Sequence, residues 1–318
     1  MKFGFTVPTR GALATREGIK AIMEKGEALG FAYATVNDHI VVPKDVASRY
    51  PYSEGGDWAG GRFGEALEQI SMLAFLAGVS ETLRLVTAVM VVPYRNPVLV
   101  ARMLATADVL SNGRITVGCG VGWMREEFEA VGAPPFDERG RVADEYLRVF
   151  KEVWCNGEPS YDGAYARFDN VSALPLPVQD PHPPIWIGGE SGPALRRTAS
   201  LGDGWFPIGS NPRHPLDTRQ RYAAALARLR QAAEKCGRDP GEIDLAYSAN
   251  WTYGADAITA DTGDRHAFTG TAAELLDDID AFGTMGVGHL MLNFQSRSLE
   301  RTIARMEAFA DEVIAKVT

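Results

Sequence analysis

Cysteine is scarce. Cys119, Cys155 and Cys236 are the only three in 318 residues, and their wide spacing builds neither a disulfide framework nor a run of metal ligands, so a reducing compartment is expected. Histidine is nearly as sparse: His39, His182, His214, His266 and His289 are scattered, with no H-x-H pair. Converging imidazoles of a metal-dependent hydrolase are therefore not expected, and Asp38 beside His39 is the one plausible metal-ligating pair. None of the seven lysines falls at the C-terminal end of a predicted strand, which argues against a Schiff-base aldolase. Positive charge is in the minority, with 32 Lys and Arg against 41 Asp and Glu and a formal net charge of -9. A nucleic-acid partner, which needs clustered cations to replace counterions, is not expected. No apolar run is long enough to cross a bilayer, and "MKFGFTVP" shows no signal-peptide h-region or cleavage site. The expectation is a soluble cytoplasmic protein with no membrane partner.

What is present is a regular alternation. At 46% hydrophobic residues the chain can bury a substantial core. Short apolar runs stand at Phe3 to Val7, Tyr33 to Val36, Leu83 to Val92, Ile115 to Cys119, Pro184 to Gly188, Gly204 to Ile208, Ile243 to Trp251 and His289 to Phe294. Helical patterns separate them, over Arg16 to Leu29, Glu65 to Ala77, Pro97 to Leu110, Arg125 to Val131 with Arg139 to Trp154, Pro193 to Leu201, Arg219 to Cys236, Ala272 to Phe282 and Leu299 to Lys316. Strict βα alternation predicts a parallel sheet, and eight strands favour closure into a (β/α)8 TIM barrel in one domain, residues 1–318. Two stretches exceed ordinary βα connections: Ile40 to Arg62 after the second strand, and Gly157 to Pro183 before the fifth, the latter readable as a hairpin or an irregular excursion. Loops of this length are usually functional or disordered.

Barrel chemistry sits at the C-terminal ends of the strands. The second strand ends in Asn37-Asp38-His39, which places a histidine at the rim where it can exchange a proton or hold a ligand. The fourth runs into "GCGVGW", in which Gly118, Gly120 and Gly122 alternate. A dinucleotide fingerprint needs G-x-G-x-x-G, and Trp123 stands at its third glycine, so this is a different kind of turn. The fifth ends in "GGESGP", where Ser191 or Gly192 can cap a helix and Pro193 can open it. Bare N–H groups and the helix dipole there suit a phosphate, and Glu190 must then point away. A bulky, phosphate-bearing cofactor is the best fit to these rims.

At these residues the chain resembles the bacterial luciferase-like superfamily of flavin- and deazaflavin-dependent oxidoreductases, over nearly its whole length. The resemblance lies in "ALGFAYATVNDH", "LRLVTAVMVVPYRNPVLVARMLATADVLSNGRITVGCGVGW", "REEFEAVG" and "PPIWIGGESGPALRRTASLGDGWFP". The pattern "GVGW" with "EEFEA" and "FDERG" looks like the subgroup associated with coenzyme F420. The resemblance implies a ring lying across the barrel mouth near Asp38, His39, Met90 and Trp123. It implies a non-prolyl cis peptide at Ala88-Val89 beneath that ring, and a phosphate near Gly120, Gly122, Gly188, Gly189, Ser191 and Gly192. His39 would be catalytic. Some deazaflavin dehydrogenases carry a glutamate acid where Trp123 stands, so that acid has no counterpart at this position. The resemblance thus implies hydride transfer between F420 and a small organic substrate. The alternatives are a monooxygenase using reduced FMN and oxygen, and a cofactor-binding barrel without turnover. A homodimer is the expected assembly.

Overall fold

The computed structural model describes residues 1–317. Its strands are β1 (Lys2–Thr6), β2 (Tyr33–Val36), β3 (Arg84–Thr87), β4 (Met90–Val91), β5 (Ile115–Gly120), β6 (Tyr161–Asp162), β7 (Arg167–Phe168), β8 (Ile185–Gly188), β9 (Gly204–Phe206), β10 (Asp244–Thr252) and β11 (His289–Asn293). The main sheet runs β3-β2-β1-β11-β10-β9-β8-β5-β4, and β3 also pairs with β5. That pairing, Leu85 opposite Ile115 and Val86 opposite Thr116, closes the sheet on itself. Because β3 and β4 share one position in the ring, the result is a closed parallel barrel of eight strand positions, as the alternation predicts.

The helices are α1 (Arg16–Ala28), α2 (Gln69–Val79), α3 (Pro97–Leu110), α4 (Arg125–Ala130), α5 (Arg139–Cys155), α6 (Gly192–Leu201), α7 (Arg219–Lys235), α8 (Ala272–Thr284) and α9 (Leu299–Phe309). Local chemistry sets where they begin. The Asn96 carboxamide accepts from the N–H groups of Val98 and Leu99 at 3.0 and 3.1 Å, with Pro97 opening α3. Thr271 and Glu274 form a reciprocal capping box on α8. Each satisfies N–H groups that a helix start leaves without intrahelical partners. The predicted helix from Glu65 starts later, at Gln69, because Glu68 is the N-cap, accepting from Ser71 N–H at 2.7 Å. Glu65 instead accepts from Gly11 N–H at 2.9 Å, tying the connection to the loop after β1.

Two cores follow from the alternation of side chains along each strand. Outward residues meet the helices in one large apolar cluster, while Tyr33, Val86, Trp186, Phe206, Ala246 and Met291 fill the barrel. The third predicted strand is interrupted between Thr87 and Met90, where Ala88-Val89 is a cis peptide bond. The excursion before the fifth strand contains the antiparallel pair β6–β7, the hairpin that the sequence suggests.

Candidate functional site

His39 lies just past β2 at the C-terminal mouth of the barrel, 9% exposed. Its Nδ1 is 2.7 Å from Glu127 Oε2. An ionised carboxylate only accepts, so Nδ1 carries the proton and Nε2 is the nitrogen left for a ligand. Glu127, on α4, is fully buried. Its Oε2 also accepts from the Tyr94 hydroxyl at 3.0 Å, and its Oε1 from the N–H groups of Ile40 and Val41 at 2.7 and 3.3 Å. Such a carboxylate is tolerable in the interior because donors surround it. Burial, then the adjacent Glu127 charge, push the Tyr94 phenol up, so it remains a donor.

Asp38 is buried beside it but serves another task. Its carboxylate accepts from Val91 N–H at 2.8 Å and from Arg95 through both terminal nitrogens at 2.9 and 2.8 Å. Burial works against the Arg95 charge, yet the hydrogen bonds and charges of Asp38 and Glu68 together outweigh it and raise the guanidinium's pKa. Asp38 therefore fixes β4 after the cis bond, and its oxygens are already occupied. Among the described residues no group of three His, Cys, Asp or Glu is placed to hold a metal ion.

Residues following β2 lie across the mouth. The Trp58 ring centroid is 4.5 Å from that of His39 and 5.7 Å from that of Trp123, and Tyr50 is 5.2 Å from Trp123. Ala47 and Ser48 N–H groups donate to Glu126 at 2.8 and 3.0 Å. Burial raises the Tyr52 phenol, and the nearby Glu190 charge adds to it, so the same stretch reaches toward the loop after β8.

Two glycines of the rim make room from within. A Cβ on Gly120 would sit 2.5 Å from Val89 Cγ2, and one on Gly188 2.9 Å from Val89 Cγ1. The residue after the cis bond is thereby lodged between β5 and β8, while Ala88 lies against the interior cluster and Met90 is buried. Gly122, at φ +81°, faces Val91 and Phe128. Gly189 has φ +103°, a conformation that L side chains rarely adopt. Beyond it Ser191 caps α6, accepting from Ala194 N–H at 3.4 Å, and Gly192 puts no side chain at the first position of the helix. Glu190 does point away: its oxygens accept from Ile208 N–H at 2.8 Å and Asn211 Nδ2 at 2.7 Å. Burial raises its pKa to about 7.

The structure thus gathers His39, Trp123, Ala88 and Val89 at one mouth, and sets Gly189, Ser191 and Gly192 on the rim formed by β8. Sequence reading missed Glu127, Tyr94 and Arg95. Glu127 lies within "REEFEAVG", where neighbouring Glu126 and Glu129 have the same residue type, and only the fold distinguishes the buried one. Tyr94 and Arg95 lie in the stretch after the third strand, whose rim position was their only signal.

A closed parallel barrel with a carboxylate-held histidine at its mouth and an open helix start on its rim is a scaffold for a ligand-binding enzyme site. The family model described as luciferase-like monooxygenase matches residues 1–270, and the chain belongs to that family. An FMNH(2)-dependent dimethylsulfone monooxygenase of Pseudomonas putida is 34% identical over 146 residues, 45% of this chain and 40% of that protein. A monooxygenase from Streptomyces bottropensis superposes with a TM-score of 0.76 at 22% identity, covering 100% of both chains. An F420-dependent secondary alcohol dehydrogenase, solved with an F420-acetone adduct, gives 0.75 at 17% identity, covering 99% of this chain and 98% of that one. Proteins similar to this chain in sequence or fold thus include both FMNH(2)-dependent and F420-dependent enzymes.

Proposed function

We propose that this protein is an F420-dependent oxidoreductase in which His39 moves the proton that accompanies hydride transfer. The observation that carries this reading is the His39–Glu127 contact of 2.7 Å, which engages Nδ1 and leaves Nε2 for a ligand. Oxidising an alcohol-like carbon releases a hydride and a proton; the deazaflavin supplies the hydride chemistry when bound. His39 Nε2 takes the hydroxyl proton, and the buried Glu127 stabilises the imidazolium that results. In the reverse direction the same nitrogen returns it. Trp58, Tyr50 and Trp123 exclude water and give flat apolar surfaces for a ring. Gly189 and Gly192 leave the start of α6 open enough for a phosphate, whose charge suits the free N–H groups and the dipole there. These residues fit the cofactor.

The second reading, a monooxygenase using reduced FMN, is favoured by the 34% identity to the dimethylsulfone enzyme. Titrating the purified protein with F420, FMN and anaerobically reduced FMN separates them. Tightest binding of F420, with substrate-dependent change at its visible band and no oxygen uptake, is the expected result. Tighter binding of reduced FMN with oxygen consumption supports the second reading, and no binding of any of the three overturns both.

A further inference from the structure

One cation at the mouth is left over by this chemistry. Arg10 follows β1 and is partly buried, with its Cζ 5.1 Å from the Trp58 ring centroid. Gly60 lies directly against its Nη1, where a Cβ would collide with it. Burial is the main influence on the group and lowers its pKa, opposed by the nearby Tyr50 and Glu127. Among the described residues no hydrogen bond or ion pair engages its guanidinium, whereas Arg95 on the same mouth is forked onto Asp38. Glu127, the carboxylate whose field it feels, is committed to His39, Tyr94 and two backbone N–H groups. Holding a desolvated guanidinium without a carboxylate is unfavourable unless an anion arrives.

We infer that Arg10 is the anchor for a substrate carboxylate, so that the enzyme acts on a small organic acid. A guanidinium stacked on an indole keeps its in-plane N–H groups free, and their fork matches the two oxygens of a carboxylate. The position also fits. In the ring order, β1 lies across the barrel from β8, which carries the open start of α6. An anion on Arg10 is therefore remote from a phosphate at α6, and Trp58, which touches both Arg10 and His39, links the anchor to the reacting nitrogen. The inference rests on the proposed placement of phosphate at α6, and deepens the proposed function by naming its substrate class.

The test uses the full chain without cofactor, followed by tryptophan fluorescence, because Trp58 stacks on the anchor. Acetate, hexanoate and benzoate are titrated against acetamide, hexanamide and benzamide, which match them in shape but lack the charge. At least one acid is expected to bind tenfold or more tighter than its amide. Arg10→Gln should abolish that preference, Arg10→Lys should keep part of it, and both should retain the circular dichroism of the parent. Titration with FMN and riboflavin separates the two sources of anion, because only the first carries a phosphate. An unchanged ratio of their affinities in Arg10→Gln supports a substrate anchor, and a collapsed ratio overturns it in favour of a cofactor-phosphate ligand. No acid preference in the parent, or a preference that survives in Arg10→Gln, also overturns it. The acid–amide comparison contains no cofactor, so its failure is distinct from a failure to bind F420.

Discussion

The barrel mouth and the ring cluster inside the barrel bury polar groups in opposite ways. At the mouth, Asp38, Glu127 and Glu190 are 5%, 0% and 2% exposed, and each carboxylate is met by several donors. In the cluster, Tyr33 Oη, Trp186 Nε1 and His289 Nδ1 are buried with no partner among the described residues. Their rings pack together, with centroids of Trp186 and His289 4.7 Å apart. The difference is one of charge. An unmade neutral hydrogen bond costs about 1–3 kcal/mol, which packing of large rings can offset, while an unpartnered buried carboxylate costs far more. The ring cluster inside the barrel is built for packing and the mouth for holding charge in place.

Changes at the mouth should therefore alter ligand handling, and changes below should alter stability alone. The largest expected effect is on the β8 rim. Gly189→Asp introduces a Cβ at a positive φ and a negative charge beside the open helix start. Removing charge-assisted contacts of roughly 1.5–3 kcal/mol each should weaken F420 binding on the order of 10²–10³-fold, with the fold intact by circular dichroism. Unaltered affinity places the phosphate elsewhere. Next is His39→Ala, for which turnover should fall on the order of 10²-fold while cofactor affinity changes little. Unchanged turnover makes this histidine structural.

Two buried titrations should show opposite pH windows. Burial chiefly, helped by Lys2 and Arg84, lowers the His289 pKa from 6.5 to about 4. The unfolded chain then binds the extra proton first, so stability is present above pH 6.5 and is lost as pH falls toward 4. The loss should be on the order of 2–3 kcal/mol. His289→Leu should remove that acid-side slope in urea melts without changing turnover. Glu190 behaves in reverse: its pKa is raised from 4.5 to about 7, so its contribution is complete below pH 4.5 and declines as pH rises to 7. Glu190→Gln should flatten that second window. Identical pH profiles in parent and variants would erase the contrast between the mouth and the interior cluster. The smallest effect belongs to the cover. Amides of Ser53 to Gly61 should gain exchange protection when cofactor and substrate are bound. Protection present without ligand and lost on dilution would identify a dimer contact instead.

The barrel was legible because periodicity reports which faces are buried, and eight alternating patterns admit few closures. The starts of α3 and α6 were legible for a related reason: Asn96-Pro97 and Ser191 carry their capping chemistry in adjacent residues. His39 could be read from its place at a strand end. Glu127 could not, since its role depends on α4 bringing it to a histidine far away in sequence. Arg10 escaped for the same reason: its lack of a carboxylate partner is a property of the assembled mouth. The break between Thr87 and Met90 has no signal in side-chain pattern and came only through resemblance.

The stretch that crosses the mouth has one further consequence. Tyr50, Tyr52, Trp58 and Gly60 belong to one uninterrupted length of chain; its rings lie on His39 and Trp123, and its near end donates backbone N–H groups to Glu126 and Glu127. Backbone ties do not depend on which side chains the stretch carries. Changes to its ring positions therefore act on contacts that those backbone ties do not make, so the ligand-facing side of the cover can vary while Ile40, Ala47 and Ser48 still hold its near end to α4.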